Sequence, residues 1–300
     1  MTREKDLGLV DFNPKRDQVM DLWFQDCIEF GHGISIRIKI KNILYHSRSK
    51  FQEIAVLETE KIGRMLVIDG ITMLTEWDEF AYHEMISHVP LIVHPKPSRV
   101  LIIGGGDGGT VREVIKHPEV ELVHVCEIDE EVVRVCRKYM PSLASSFDDP
   151  RVQIFFEDGA QFVSKKSGAY DVIIVDSTDP LGPGQILFQE EFYKDLKNAL
   201  SQEGIAVTQC ESIYLHQHVI KGVFSFADNL FPKLSYYSTQ VPTYPSGLIG
   251  FFFCSLKWDP LKDINESKVE YLKNLKYYTP EIHRASFTLP LFADNLFNKS

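Results

Sequence analysis

Three hundred residues, 44% hydrophobic and 25% charged, are enough for one large domain or a domain with a smaller companion, and the balance is that of an ordinary core-forming chain. A formal net charge of −10 argues against nucleic acid or an anionic membrane as partner and makes a cationic substrate easier to hold. No uninterrupted apolar run approaches the roughly 18 residues of a membrane span, and the opening MTREKDLGLVDFNPKRDQ lacks the apolar core of a secretion signal, so the expected location is cytoplasmic.

Residues 1–20 read as a loosely held arm. Residues 21–76 read as a small antiparallel β domain. Its clearest strand is Ile34-Ser35-Ile36-Arg37-Ile38-Lys39-Ile40-Lys41, whose strict alternation requires one wet face. Two further strand-like runs, 51–58 and 65–68, are set off by turn signals at Lys61-Ile62-Gly63 and Asp69-Gly70. An exposed edge on such a sheet is a natural seat for a second copy of the chain. Residues 77–300 read as a doubly wound α/β domain. A helix over 78–93 ends before Pro95-Lys96-Pro97, and apolar strands recur at 100–103, 122–126, 152–156, 172–175 and 205–208 with helices between them. Two strand-like runs, 234–241 and 248–254, then form a hairpin that finishes the sheet, the pattern of the nucleoside methyltransferase fold, and the last forty or so residues read as helices packed on it. The five cysteines, Cys27, Cys126, Cys136, Cys210 and Cys254, have no CxxC spacing and read as buried free thiols.

The stretch VLIIGGGDGGTVREVIKHPEVELVHVCE, 100–127, carries the first chemical signal. An apolar strand runs into a loop with Gly104, Gly106 and Gly109 at nucleotide-loop spacing. A helical face of Val111, Val114 and Ile115 follows, closed by Pro118, and a second strand delivers Glu127 at its carboxyl end. This is a βαβ unit with a ribose-binding acid. Asp107 inside the glycine loop has two readings. A carboxylate there repels a pyrophosphate by roughly 1 to 4 kcal/mol at about 4 Å, which favours an adenosine ligand with a cationic tail, a sulfonium nucleoside. Alternatively, Asp107 is a turn residue capping the helix that starts near Thr110.

Ligands of an open parallel sheet sit at the carboxyl ends of its strands. Asp107 follows the first strand, Glu127 the second, Asp158-Gly159 the third, Asp176-Ser177-Thr178-Asp179 the fourth and Gln209-Cys210-Glu211 the fifth. Single acids in such places are often helix caps, but six on one rim repel unless cations lie among them. No histidine or cysteine cluster has metal-ligand spacing, His216 and His218 read as surface histidines on a helix, and a magnesium site would go with a phosphate. An organic diamine fits the rim better than a metal.

GGGDGGTVREV at 104–114, CEID at 126–129, EDGAQF at 157–162, DSTDPLGP at 176–183, PTYPSG at 242–247 and KYYTPEIHRASFTLPLF at 276–292 together resemble the spermidine synthase family of aminopropyltransferases, from about Trp23 to the carboxyl end. DSTDP and PTYPSG separate that family from ordinary methyltransferases. The resemblance implies a Rossmann-like, methyltransferase-like sheet with a C-terminal β-hairpin, preceded by the small β domain. It implies transfer of the aminopropyl group of decarboxylated S-adenosylmethionine to putrescine, giving spermidine and 5'-methylthioadenosine, with no metal and no further cofactor. Residue by residue, it implies that Glu127 holds the ribose, that Asp158 and Gly159 read the adenine, and that Gly104 and Gly106 shape the loop. Gln52 and Asp107 would face the methionine-derived tail, Tyr82 and His83 the junction, and Asp176 would be the base. Asp179, Glu211 and Tyr244 would hold the diamine in a channel lined by Trp23 and Gln209. Some family members carry Gln at the position of His83. A homodimer or homotetramer built through the amino-terminal sheet is implied as well. The alternatives are another acceptor (cadaverine, agmatine or spermidine), a nucleoside methyltransferase, or a non-catalytic polyamine-binding protein.

Overall fold

The computed structural model describes residues 21–26, 33–180 and 182–297; the expected arm over 1–20 and Cys27 lie outside them. Five strands, β1 (Leu22–Gln25), β2 (Arg37–Arg48), β3 (Glu53–Thr59), β4 (Arg64–Ile68) and β5 (Ile71–Thr75), pair antiparallel in chain order. Alternation in β2 turns Ile38 and Ile40 into a small core with Leu57, Met65 and Val67. Ile54, Val56, Leu66 and Ile68 point through the other face into the main core, so the sheet is apolar on both sides. The β4–β5 turn puts Asp69 and Gly70 at φ 49° and 80°, the two left-handed positions of a tight hairpin. The sequence pattern predicts three strands here and the structure has five. Three of the four residues of β1 are exposed, so it carries no alternation, and β5 hides behind the turn signal that precedes it.

Helix α1 (Glu79–Val93) joins this sheet to a seven-stranded one of order β11-β12-β10-β9-β6-β7-β8. Its parallel strands are β6 (Arg99–Gly104), β7 (Leu122–Cys126), β8 (Val152–Phe155), β9 (Tyr170–Asp176) and β10 (Leu200–Gln209). β11 (Lys233–Gln240) and β12 (Leu248–Ser255) form the antiparallel hairpin that completes it. Val100 and Ile102 of β6 face one core, Leu101 and Ile103 the other, which is why the strand reads as a continuous apolar run. Helices α2 (Gly109–Val114), α3 (Glu130–Tyr139), α4 (Pro141–Ala144), α5 (Gly159–Ser164), α6 (Glu190–Ala199) and α7 (Gln217–Leu230) make the crossovers. This is the expected methyltransferase-like sheet with its terminal hairpin.

The carboxyl-terminal region contains one seven-residue helix, α8 (Pro280–Ser286), and two 3₁₀ turns, less helix than its composition predicts. It is tied to α1 by Glu84, whose carboxylate accepts the backbone N–H groups of Lys276, Tyr277 and Tyr278 at 2.8, 2.9 and 2.7 Å. Cys126, Cys136, Cys210 and Cys254 are buried and unbonded to one another. No helix among the described residues is long and apolar enough to cross a membrane.

Strand order reverses between β6 and β9, which places Gly104 directly opposite Asp176. Gly105 donates its N–H to the Asp176 carbonyl at 2.9 Å. Gly104 has φ 82°, and a Cβ there would stand 2.0 Å from the same carbonyl oxygen. Gly104→Ala is therefore expected to cost roughly 2 to 4 kcal/mol in stability, measured by denaturant unfolding; an unchanged midpoint would contradict this packing.

Candidate active site

At that reversal the carboxyl ends of the parallel strands, the start of α1 and the inner edge of the small sheet enclose a cavity of about 220 Å³. Glu127, at the end of β7, is buried and accepts the Asp129 N–H at 2.9 Å. Its other oxygen would lie 2.9 Å from a Cβ at Gly106, so a side chain at that position would collide with the acid. Burial, followed by the charges of Asp129 and Asp107, raises the Glu127 carboxyl to about 7. Asp158 lines the same cavity while one of its oxygens caps α5 through the N–H groups of Ala160 and Gln161. Gln52 reaches in from the small sheet. Its Nε2 donates to Asp129 Oδ2 at 3.0 Å, and because a carboxylate only accepts, the amide oxygen is the end left for a ligand.

Asp176, the last residue of β9, stands at the centre of the rim. Tyr82 donates its hydroxyl to Oδ1 at 2.8 Å and Thr110 donates to Oδ2 at 2.6 Å. Burial, and after it the nearby charge of Asp107, pushes its pKa up. Asp107 accepts the Gly109 N–H at 2.7 Å, closing the turn into α2, and it also lines the cavity. His83 Nε2 lies 3.3 Å from Asp107, and His83 Nδ1 lies 2.6 Å from Glu79. Arg112 grips the two oxygens of Glu79 at 2.9 and 2.8 Å. For Glu79, burial favours the neutral acid, but His83 and Arg112 outweigh it and hold the pKa at about 2. Ligand atoms of His83, Asp107 and Asp176 lie within 4.8 Å of one another, the one group of metal-capable side chains among the described residues. Tyr82 and Thr110 occupy the Asp176 oxygens, and carboxylates flank both ring nitrogens of His83, so protein groups already engage these atoms.

Met73, Tyr82, Ser177, Thr178 and Tyr244 form the wall shared with a second chamber of about 60 Å³. Asp179, Gln209 and Glu211 line it, with Gln209 Nε2 3.4 Å from Asp179. Gln209 Oε1 and Glu211 Oε1 are buried with no hydrogen-bond partner. Glu211 has φ 56°, a left-handed conformation of the kind that persists only where the surroundings enforce it. Its carbonyl is fixed by the Tyr236 hydroxyl at 2.7 Å and the Gly250 N–H at 2.9 Å. Tyr244 donates to the Met73 carbonyl at 2.7 Å, fastening the PTYPSG loop to β5.

Two expectations need correction. Trp23 lines neither chamber. It lies on β1, the edge strand remote from β5, 43% exposed under the Arg37 guanidinium, and lines a separate groove on the small sheet. His216 is no surface histidine; it lines the second chamber with Nδ1 2.8 Å from Glu211 Oε2. The sequence reading also missed Asp78, which accepts the Thr243 N–H and hydroxyl at 2.9 and 2.8 Å, and the Glu79–Arg112 pair. An acid pair opening α1, Asp78-Glu79, was the available signal.

Residues 79–267 match the Spermine/spermidine synthase domain and residues 22–76 the Spermidine synthase tetramerisation domain. The chain belongs to the spermine/spermidine synthase family. It is 45% identical over 282 residues to a spermidine synthase of Dictyostelium discoideum, covering 94% of this chain and 99% of that one. It is 47% identical over 274 residues to a polyamine aminopropyltransferase of Leptospira biflexa, covering 91% and 97%. Among solved structures, a spermidine synthase in complex with the transition-state analogue AdoDATO superposes with a TM-score of 0.89 at 42% identity, covering 92% of this chain and 94% of that one. The Thermotoga maritima spermidine synthase gives 0.86 at 40% over the same shares. As a member of the spermine/spermidine synthase family, the protein is an enzyme of this type.

Burial alone would lower the His83 pKa, but Asp107 and Glu79 outweigh it and raise it from 6.5 to about 10. A histidine with a raised folded pKa stabilises fully below about pH 6.5 and loses that contribution as pH climbs toward about 10. The stability difference between wild type and His83→Gln, measured by denaturant unfolding at several pH values, is therefore expected to shrink across that window; a difference that stays flat would contradict a charged His83.

Proposed function

We propose that the enzyme transfers the aminopropyl group of decarboxylated S-adenosylmethionine to putrescine, releasing spermidine and 5'-methylthioadenosine. The observation that carries this reading is a pair of acid-walled chambers of unequal size that share a wall of Met73, Tyr82, Ser177, Thr178 and Tyr244, with Asp176 on the larger chamber's side of it. The larger has the glycine loop and buried Glu127 suited to an adenosine; the smaller has room for only a slender chain and ends in Asp179 and Glu211. The names of the relatives and the transition-state analogue held by a structural neighbour support it.

In this reading Glu127 takes the ribose hydroxyls and Asp158 with Gly159 the adenine edge, while Asp107 and the amide oxygen of Gln52 take the aminopropyl ammonium. Asp179 and Glu211 hold the far ammonium of the diamine through charge-assisted bonds, aided by Gln209 and Tyr244, so that its near nitrogen faces the carbon attached to sulfur. The nitrogen lone pair forms the new carbon–nitrogen bond as the carbon–sulfur bond breaks, and the electron pair of that bond stays on sulfur as a neutral thioether. Sulfonium leaves without help from an acid. The obstacle is the nucleophile: an alkylamine with a pKa of about 10 must lose a proton at a cost of roughly 4 kcal/mol at pH 7. Asp176, its pKa already raised by burial and Asp107, accepts that proton, held in position by Tyr82 and Thr110. Ordinary S-adenosylmethionine would bring a carboxylate against Asp107 and is disfavoured.

We further propose that the chain assembles with copies of itself through the small sheet, where Leu22, Trp23 and Ile43 are exposed. The buried unpaired thiols suit a reducing compartment, the cytoplasm.

Two measurements test the reading. Product analysis with the decarboxylated nucleoside and putrescine, cadaverine, agmatine or spermidine is expected to give transfer predominantly to putrescine; preference for another acceptor would overturn the acceptor assignment. Asp176→Asn is expected to retain nucleoside binding and lose about 10²- to 10⁴-fold in turnover; wild-type turnover would remove Asp176 as base.

A further inference from the structure

His83 is a buried residue with a carboxylate on each side. Nδ1 faces Glu79 at 2.6 Å and Nε2 faces Asp107 at 3.3 Å. A neutral imidazole carries one N–H and would aim the lone pair of its other nitrogen at acceptor-only oxygens, so the ring fits this slot only as a cation donating in both directions. The other groups facing it are Asp176, within the same 4.8 Å cluster, the Tyr82 ring beside it, and Arg112, which reaches it through Glu79. The Gly109 backbone at the start of α2 packs against the ring, leaving no space even for a Cβ.

This arrangement meets a conflict in the functional reading on which the inference rests: Asp107 cannot serve His83 and the aminopropyl ammonium equally. The ammonium and the imidazolium would both have to donate to Asp107 with the sulfonium close by, so three positive charges repel one another at a single carboxylate. Sulfonium has no proton to lose and an alkylammonium ordinarily holds its own up to about pH 10, whereas His83 owes its raised pKa to Asp107 and Glu79, and once the ammonium takes Asp107 it falls back toward the ordinary imidazolium value near 6.5. His83 is the group that yields. Arg112 already holds both oxygens of Glu79, so the ring keeps its tautomer by donating Nδ1–H to Glu79 and loses the proton on Nε2.

We propose that His83 is the resident counter-cation of Asp107 in the free enzyme, and that the ammonium of the co-substrate takes its place, expelling the Nε2 proton to solvent and turning that nitrogen into an acceptor for the ammonium. The raised pKa of His83 and the lowered pKa of Asp107, where burial is outweighed by the imidazolium, agree with this pairing in the free enzyme. Affinity for the co-substrate then rises with pH, up to about tenfold per unit for one proton released. 5'-Methylthioadenosine, with the same nucleoside and no cationic tail, leaves His83 charged on Asp107.

Calorimetry at about pH 8 in buffers of different ionisation enthalpy counts the protons, and Glu127, with its pKa of about 7, is already mostly ionised there and contributes little to either ligand. Wild-type enzyme is expected to release about one-half to one proton more with decarboxylated S-adenosylmethionine than with 5'-methylthioadenosine, and the difference is expected to vanish in His83→Gln. Equal release for the two ligands in wild type would overturn the proposal without reference to any variant. A difference that persists in His83→Gln would also overturn it, because the proton would then come from a group other than His83. Failure of wild type to bind either nucleoside would overturn the functional reading itself, and the proposal with it.

Discussion

Carboxylates gathered on one partly buried rim repel one another, and most of the site is an answer to that repulsion. Parallel strands deliver Asp107, Glu127, Asp158, Asp176, Asp179 and Glu211 to the same end of the sheet because that is where their loops emerge. Several of these acids have a relief of their own. Two hydroxyls hold Asp176, an imidazole and a backbone N–H hold Asp107, and a helix start holds Asp158. Glu127 resists ionising, and Glu211 leans on His216 while one of its oxygens has no partner. The negative potential left over is what two amine-bearing substrates would neutralise, a requirement no dinucleotide phosphate meets.

Helix α1 is the element through which the fold enforces this arrangement. Within its first turns and cap, Asp78 anchors the PTYPSG loop, Glu79 pairs with Arg112 of α2, and Tyr82 reaches Asp176. His83 meets Asp107, and Glu84 gathers the KYY segment. Five residues thus connect the glycine loop, the far hairpin and the carboxyl terminus, and through the hydroxyl that Thr75 donates to Asp78 the small sheet as well. The small sheet contributes more than a covering: the carboxylate of Asp129 binds Ser49 and Gln52, and the backbone N–H of Asp129 binds Glu127. One residue therefore sets the geometry of groups from both sheets.

Features written in local periodicity were legible in the sequence. The alternation of Ile36, Ile38 and Ile40 marked a half-wet strand, the run Val100–Ile103 marked a strand covered on both faces, and glycine spacing followed by Glu127 located the nucleoside loop. Strand-end positions alone also gather most of the rim acids. What escaped was long-range or conformational. Nothing local to Arg112 says that its partner is Glu79, 33 positions away, and the turn of Glu211 toward His216 depends on a left-handed backbone that no residue pattern announces. β1 is too short and too exposed to leave a period, and Trp23 on it was assigned by resemblance to a channel that its edge-strand position does not reach.

The central claim is that the two chambers hold a cationic nucleoside and a diamine end to end across Asp176. A crystal structure with 5'-methylthioadenosine and putrescine bound together tests it most directly. The account predicts adenosine on Glu127 and Asp158, and the diamine in the smaller chamber with its far nitrogen between Asp179 and Glu211. The near nitrogen should lie about 3 Å from Asp176, on a line toward the sulfur. A diamine bound elsewhere, or a divalent ion held among His83, Asp107 and Asp176, would contradict it.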